Sequence, residues 1–167
     1  EINITTTWNG GSIDHKPVKI HLTPHKERDL KLTVQAPYFA DPAPSGQAGR
    51  PFPELWNYEV VELFLMNNKD RYLEIELSPH GQHLVLLLSA RRKMVKDELP
   101  LVYSATIKGD QWHGEALIPL DYLPPNITKF NAYAIHGVDE QRVYEAYSPA
   151  IGSFTEPDFH RLEFFKP

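Results

Sequence analysis

Short strand-like runs recur along this whole chain, and no segment keeps a helical apolar period for more than two turns. The runs are 18–22, 30–36, 58–66, 72–78, 83–89, 101–107, 112–118, 132–138, 143–147 and 162–165. Most are rich in β-branched or aromatic residues and bounded by Gly, Pro, Asn or Asp. The best helical candidate is a single turn at 120–123, stopped by Pro124 and Pro125. This pattern predicts an all-β fold, an antiparallel β-sandwich of jelly-roll type. One sheet should be buried and the other should present a shallow concave face.

Two adjacent runs carry an unusual charge pattern. Alternation places Val61, Leu63 and Leu65 on one face of the first, and Val60, Glu62 and Phe64 on the other. In the second, Leu73, Ile75 and Leu77 oppose Tyr72, Glu74 and Glu76. If the two strands pair, one face gathers three glutamates. Neighbouring carboxylates repel, so they need a cation, a hydroxyl-bearing ligand or water. Calcium is one such cation, because it takes hard oxygen ligands. The structural alternative is a polar face neutralised by Arg71, Arg91 and Arg92.

At 167 residues the chain reads as one domain, spanning 1–167. A formal net charge of -5 argues against a general nucleic-acid binder, which would carry a basic stripe. No apolar run approaches the roughly 18 residues of a membrane span. The absence of cysteine removes thiolate catalysis, cysteine-ligated zinc and disulfides. The chain opens at Glu1 with no signal-peptide pattern, and a cytoplasmic location is the expectation. The sequons Asn3-Ile4-Thr5 and Asn126-Ile127-Thr128 leave secretion as the alternative.

One connection, 37–55, is long for a compact domain and contains Pro37, Pro42, Pro44, Pro51 and Pro53. Its prolines reduce the entropy lost on ordering, which favours a packed loop. The histidines suggest a metal as a weaker hypothesis. His80 and His83 stand three apart across a Pro/Gly turn, unlike the helical i, i+4 pair of a zincin. No nucleophile elbow, P-loop or dinucleotide fingerprint is present, so binding is expected rather than catalysis. A glycosidase or a metal-dependent hydrolase is the enzymatic outsider.

The blocks LWNYEVVELFL, RYLEIELSPHG, WHGEALIPLDYL, YEAYSP and PDFHRLEFF, in that order, resemble the family 9 carbohydrate-binding modules and their DOMON-like relatives. The stretches ELWNYEVVE, SPHGQHLVLLLS, PPNITKFN and PDFH also resemble an uncharacterised animal family of small free-standing proteins, known in human as the product of chromosome 4 open reading frame 33. The first resemblance implies a β-sandwich with a ligand site over one sheet. It further implies two aromatics clamping a sugar while an acid and an arginine hold its hydroxyls. These roles fall on Trp56, Tyr147, Glu62 and Arg91, with Arg92 the alternative arginine. Tyr147 stands where the modules carry tryptophan, and Ala134-Ile135-His136-Gly137 replaces a polar loop.

A sugar's CH face packs well on an indole, which suits Trp56. The expected function is therefore non-catalytic binding of a small ligand, a carbohydrate first. The expected site is Trp56, Glu62, Glu76, Arg91, His136 and Tyr147. The alternatives are a flat hydrophobic cofactor such as haem in the same cleft, or a protein-interaction module using the proline-rich loop. The oligomeric state stays open between monomer and dimer.

Overall fold

A computed structural model describes residues 1–167. In chain order the strands are β1 (Ile2–Ile4), β2 (Thr6–Thr7), β3 (Val18–His25), β4 (Asp29–Pro37), β5 (Val60–Asn67) and β6 (Tyr72–Leu77). They continue as β7 (His83–Ala90), β8 (Lys93–Lys96), β9 (Val102–Lys108), β10 (Gln111–Pro119), β11 (Ile127–His136) and β12 (Val143–Ala146). The remaining regular structure is single 3-10 turns, including Leu55–Asn57, Leu120–Tyr122 and Leu162–Phe164. No helix is long and apolar enough to cross a membrane.

The strands form an antiparallel sandwich. One sheet has the order β1-β3-β4-β10-β9, the other β2-β12-β11-β5-β6-β7-β8. Between them lies the main core, where Val61, Leu63, Leu73, Ile75 and Val85 meet Ile20, Leu32, Trp112 and Ile118. Trp112 fills this layer, as its place in an alternating run predicts. The alternation of β5 and β6 therefore sends Glu62, Glu74 and Glu76 to the outer face of the seven-stranded sheet.

Much of that outer face is shielded from water. A second apolar layer covers it, in which Phe64, Tyr72, Leu84 and Tyr133 pack against Leu55, Leu162 and Phe165. The expected shallow concave face is thus a roofed one. Residues 162–165, expected as a strand, instead make the 3-10 turn Leu162–Phe164, and only Lys166 bridges back to Phe130. Their aromatic content serves the roof rather than a ladder. Strands β1, β2 and β8 carry no clear alternating pattern of their own.

The proline-rich loop is packed down, as its composition suggests. Phe52 donates its N–H to the His83 carbonyl at 2.9 Å, and Gly49 donates to Gly81 at 2.8 Å. Gly81 has φ +96°, and a Cβ there would lie 2.7 Å from the Ala48 Cβ, so the loop runs close against this turn. At the other end Glu59 accepts the N–H groups of Phe39 (2.9 Å) and Asp41 (3.2 Å). Burial outweighs those bonds and raises the Glu59 carboxyl to about 7.

Candidate functional site

The outer face carries a pocket of about 460 Å³. Its floor comes from strand residues of one parity: Glu62, Glu74, Leu86, Leu88, Ile135 and Tyr144. The 3-10 turn Leu55–Asn57 supplies Trp56 at the mouth, where it is 41% exposed. Arg92 and Met94 of the β7–β8 hairpin form one wall, and Asp158, Phe159 and His160 form another.

The glutamates sit on the floor because the ladder fixes them there. Glu62 lies opposite Glu76 on β6 and Tyr133 on β11, and Glu74 lies opposite Phe64. Glu62 is 2% exposed, Glu74 3% and Glu76 0%. One carboxylate oxygen from each lies within 4.8 Å of the others. Glu62 Oε2, Glu74 Oε1 and both Glu76 oxygens are buried without a hydrogen-bond partner. Burial first, then the neighbouring carboxylates, push the Glu62 and Glu76 carboxyls well above the usual range. Arg142 opposes this shift at Glu62. The floor therefore holds unmet capacity for hydrogen bonds or positive charge.

The walls are held by hydrogen bonds that also fix a tautomer. Arg92 donates its backbone N–H to the Tyr72 hydroxyl at 3.1 Å, and that hydroxyl meets His160 Nδ1 at 2.6 Å. With Tyr72 donating onward, His160 keeps its proton on Nε2. That nitrogen lies 3.8 Å from Glu74 Oε1, a gap suited to a bridging hydroxyl. Tyr133 donates to the Phe159 carbonyl at 3.0 Å and stacks on its ring at 3.8 Å. Arg142 donates to the carbonyls of Gly137, Trp56 and Tyr58, fastening the turn that carries Trp56.

The sequence-predicted residues separate into two groups. Trp56 and Glu62 line the pocket, and Glu76 lies among the floor carboxylates behind it. Tyr147 does not face Trp56. It lies on the inner side of the sheet and stacks on Phe130 at 5.1 Å, because its parity is that of Glu145. Arg91 points to the surface and pairs with Glu163 at 2.7 Å, whereas Arg92 lines the pocket and pairs with Asp158. Arg71 is exposed, so these arginines do not neutralise the floor.

His136 also lies on the inner side, stacked on Phe39 at 3.6 Å, and burial lowers it to about 4. His83 is fully buried beside Tyr103, lowered by burial to about 4, and neither it nor His80 joins a cluster of three ligand groups. Sequence reasoning missed Tyr144, Arg142, Phe159 and His160 as pocket and anchoring residues. The alternation of 143–147 gave a signal for Tyr144, since Tyr144 and Tyr147 have opposite parity.

No protein-family model matches the chain. It is 53% identical over 173 residues to the mouse (Mus musculus) UPF0462 protein C4orf33 homolog, covering 100% of this chain and 90% of that protein. Among solved structures, a Bacteroides uniformis protein provisionally assigned as carbohydrate-binding superposes with a TM-score of 0.69 at 16% identity, covering 99% of this chain and 83% of that one. A family 9 carbohydrate-binding module of Caldicellulosiruptor kristjanssonii, solved with cellotriose, gives 0.56 at 19% identity, covering 87% and 71%. These two similarities establish the carbohydrate-binding-module-like sandwich. The mouse relative, matched across the full length, establishes the kinship: the chain belongs to the UPF0462 family of C4orf33 homologues.

Proposed function

We propose that this protein is a non-catalytic small-ligand binder whose ligand, a mono- or short oligosaccharide, lies in the pocket on the outer face of the seven-stranded sheet. The observation that carries this reading is an exposed indole, Trp56, over a floor whose buried carboxylates have unpartnered oxygens. A sugar combines both requirements, an apolar CH face for the indole and hydroxyls for the acids. Glu62 and Glu74 accept hydrogen bonds from the hydroxyls, His160 Nε2 donates, and Tyr144 and Phe159 supply apolar wall. The fold neighbour solved with cellotriose supports this reading by analogy of architecture. Isothermal titration with glucose, cellobiose and cellotriose tests it. Saturable binding that Trp56→Ala weakens at least tenfold is expected; no binding by any neutral or amino sugar would overturn it.

The floor favours one variant of this ligand, a sugar bearing an ammonium group. Carboxylates buried without a cation gain most from a positively charged partner. Glucosamine should then bind at least tenfold more tightly than glucose, with Glu62→Gln removing the difference. Equal affinities would leave the neutral-sugar reading standing and remove this one.

A further inference from the structure

A second cluster of ligand groups lies on the other side of the same sheet, away from the pocket. Glu145 on β12 and His136 at the end of β11 both point inward, because Glu145 pairs with Ala134 of the inner face and His136 has the same parity. His15, from the segment joining β2 to β3, comes down on them. Its Nε2 lies 2.6 Å from Glu145 Oε2. One donor atom from each of the three residues lies within 4.8 Å of the others.

His15 Nδ1 sits 2.7 Å from the Lys16 carbonyl, an acceptor, and so carries a proton. Nε2 is then the nitrogen turned to Glu145. A carbonyl fixing one ring nitrogen so that the other faces a carboxylate is the arrangement that orients metal-ligating histidines. Two acceptor atoms 2.6 Å apart need something positive between them, either a proton or a metal ion. Two further features favour the ion. Glu145 Oε1 is buried and has no partner, and the residue is only 1% exposed. His136 adds a third donor where a simple ion pair would need none. Its ring is held by stacking on Phe39 at 3.6 Å, with the His15 ring edge-on at 5.4 Å.

We propose that His15, His136 and Glu145 form a binding site for a divalent transition-metal ion, of which zinc is the type. Two imidazoles and one carboxylate suit zinc far better than calcium or magnesium, which take oxygen sets. Bonds of about 2.0–2.2 Å at tetrahedral angles separate ligand atoms by roughly 3.3 Å. His15 and Glu145 therefore move apart by about 0.7 Å when the ion replaces the shared proton, within side-chain torsional reach. A fourth position is left for water. The bound ion ties the 8–17 segment to the β11–β12 hairpin, and through the Phe39–His136 stack it holds the start of the proline-rich loop.

Full-length protein, treated with chelator and then titrated with zinc chloride, tests this site by calorimetry and thermal melting. One equivalent of zinc should bind and raise the melting temperature, and cobalt(II) should give the visible absorption of a four-coordinate N/O site. His136→Phe keeps the stack on Phe39 but removes the donor nitrogen, so it should fold and lose zinc affinity at least tenfold. His80→Ala, outside the cluster, should leave affinity unchanged. Stoichiometric zinc absent in the wild type, or affinity preserved in a folded His136→Phe, would show an ion pair sharing a proton and overturn the proposal.

Discussion

Glu76 has no exposed surface and two oxygens without partners, beside Glu62, which is buried with one such oxygen. Both carboxyls are raised, first by burial and then by a neighbouring carboxylate, Glu74 for Glu62 and Glu62 for Glu76, so the folded protein holds their protons more tightly than the unfolded chain does. The stability this contributes is fully present below the unfolded value near 4.5 and is lost as pH rises through the folded values. Glu76→Gln keeps the shape and removes one ionisation. Its melting temperature relative to wild type should climb as pH rises above 4.5, by roughly 2–4 °C, which for a chain of this size is about 1 kcal/mol. His83 and His136, lowered to about 4, act in the opposite sense. Their stabilisation is present above 6.5 and lost as pH falls towards 4, but it is common to both proteins and cancels in the difference. Parallel melting curves would mean that the floor carboxyls titrate normally.

The 3-10 turn Leu55–Asn57 positions the indole, and Arg142 fastens that turn through the carbonyls of Trp56 and Tyr58. Arg142→Ala should cost about 1–2 kcal/mol, because part-buried and exposed carbonyls that lose a charged donor are partly rescued by water. It should also make Trp56 more open to acrylamide quenching, read in a Trp8→Phe background because Trp112 is buried in the core and Trp8 is only half-buried. Unchanged quenching and stability would assign the turn's position to its own packing. Elements of this kind divide what the chain reveals from what it hides. The parity of β5 and β6 was readable, because alternation is local and Glu62, Glu74 and Glu76 interrupt apolar faces. The parity of Tyr144 and Tyr147 was equally local, but the short anchor YEAYSP directed attention to the wrong tyrosine. Arg142 was not readable, because its partners on the Trp56 turn lie 84 and 86 residues away in the chain and carbonyls leave no mark in sequence. The same holds for His15 and Glu145, which are 130 residues apart.

At the scale of the molecule, the roof distinguishes this sandwich from a bare one. Phe165 is 4% exposed and packs edge-on to Phe64 and Tyr72. Phe165→Ala should lower unfolding stability in urea by about 3–5 kcal/mol, the range for a buried phenylalanine. A loss under about 1 kcal/mol would show that the roof is docked by its polar contacts instead. Of these, Arg91 with Glu163 is an exposed pair of small worth, and Arg92 with Asp158 joins an exposed arginine to a half-buried carboxylate at the pocket wall. The roof also imposes an order of events during synthesis. β5, β6 and β7 leave the ribosome some seventy residues before 157–165, so for that interval the outer face has no cover. Glu62, Glu74 and Glu76 then stand in water with their charges intact. Negative side chains in the middle of an apolar face oppose its pairing with other nascent strands. The same carboxylates thus oppose wrong pairing of the nascent sheet before the last aromatic residues close over them, and the burial that follows raises the Glu62 and Glu76 carboxyls.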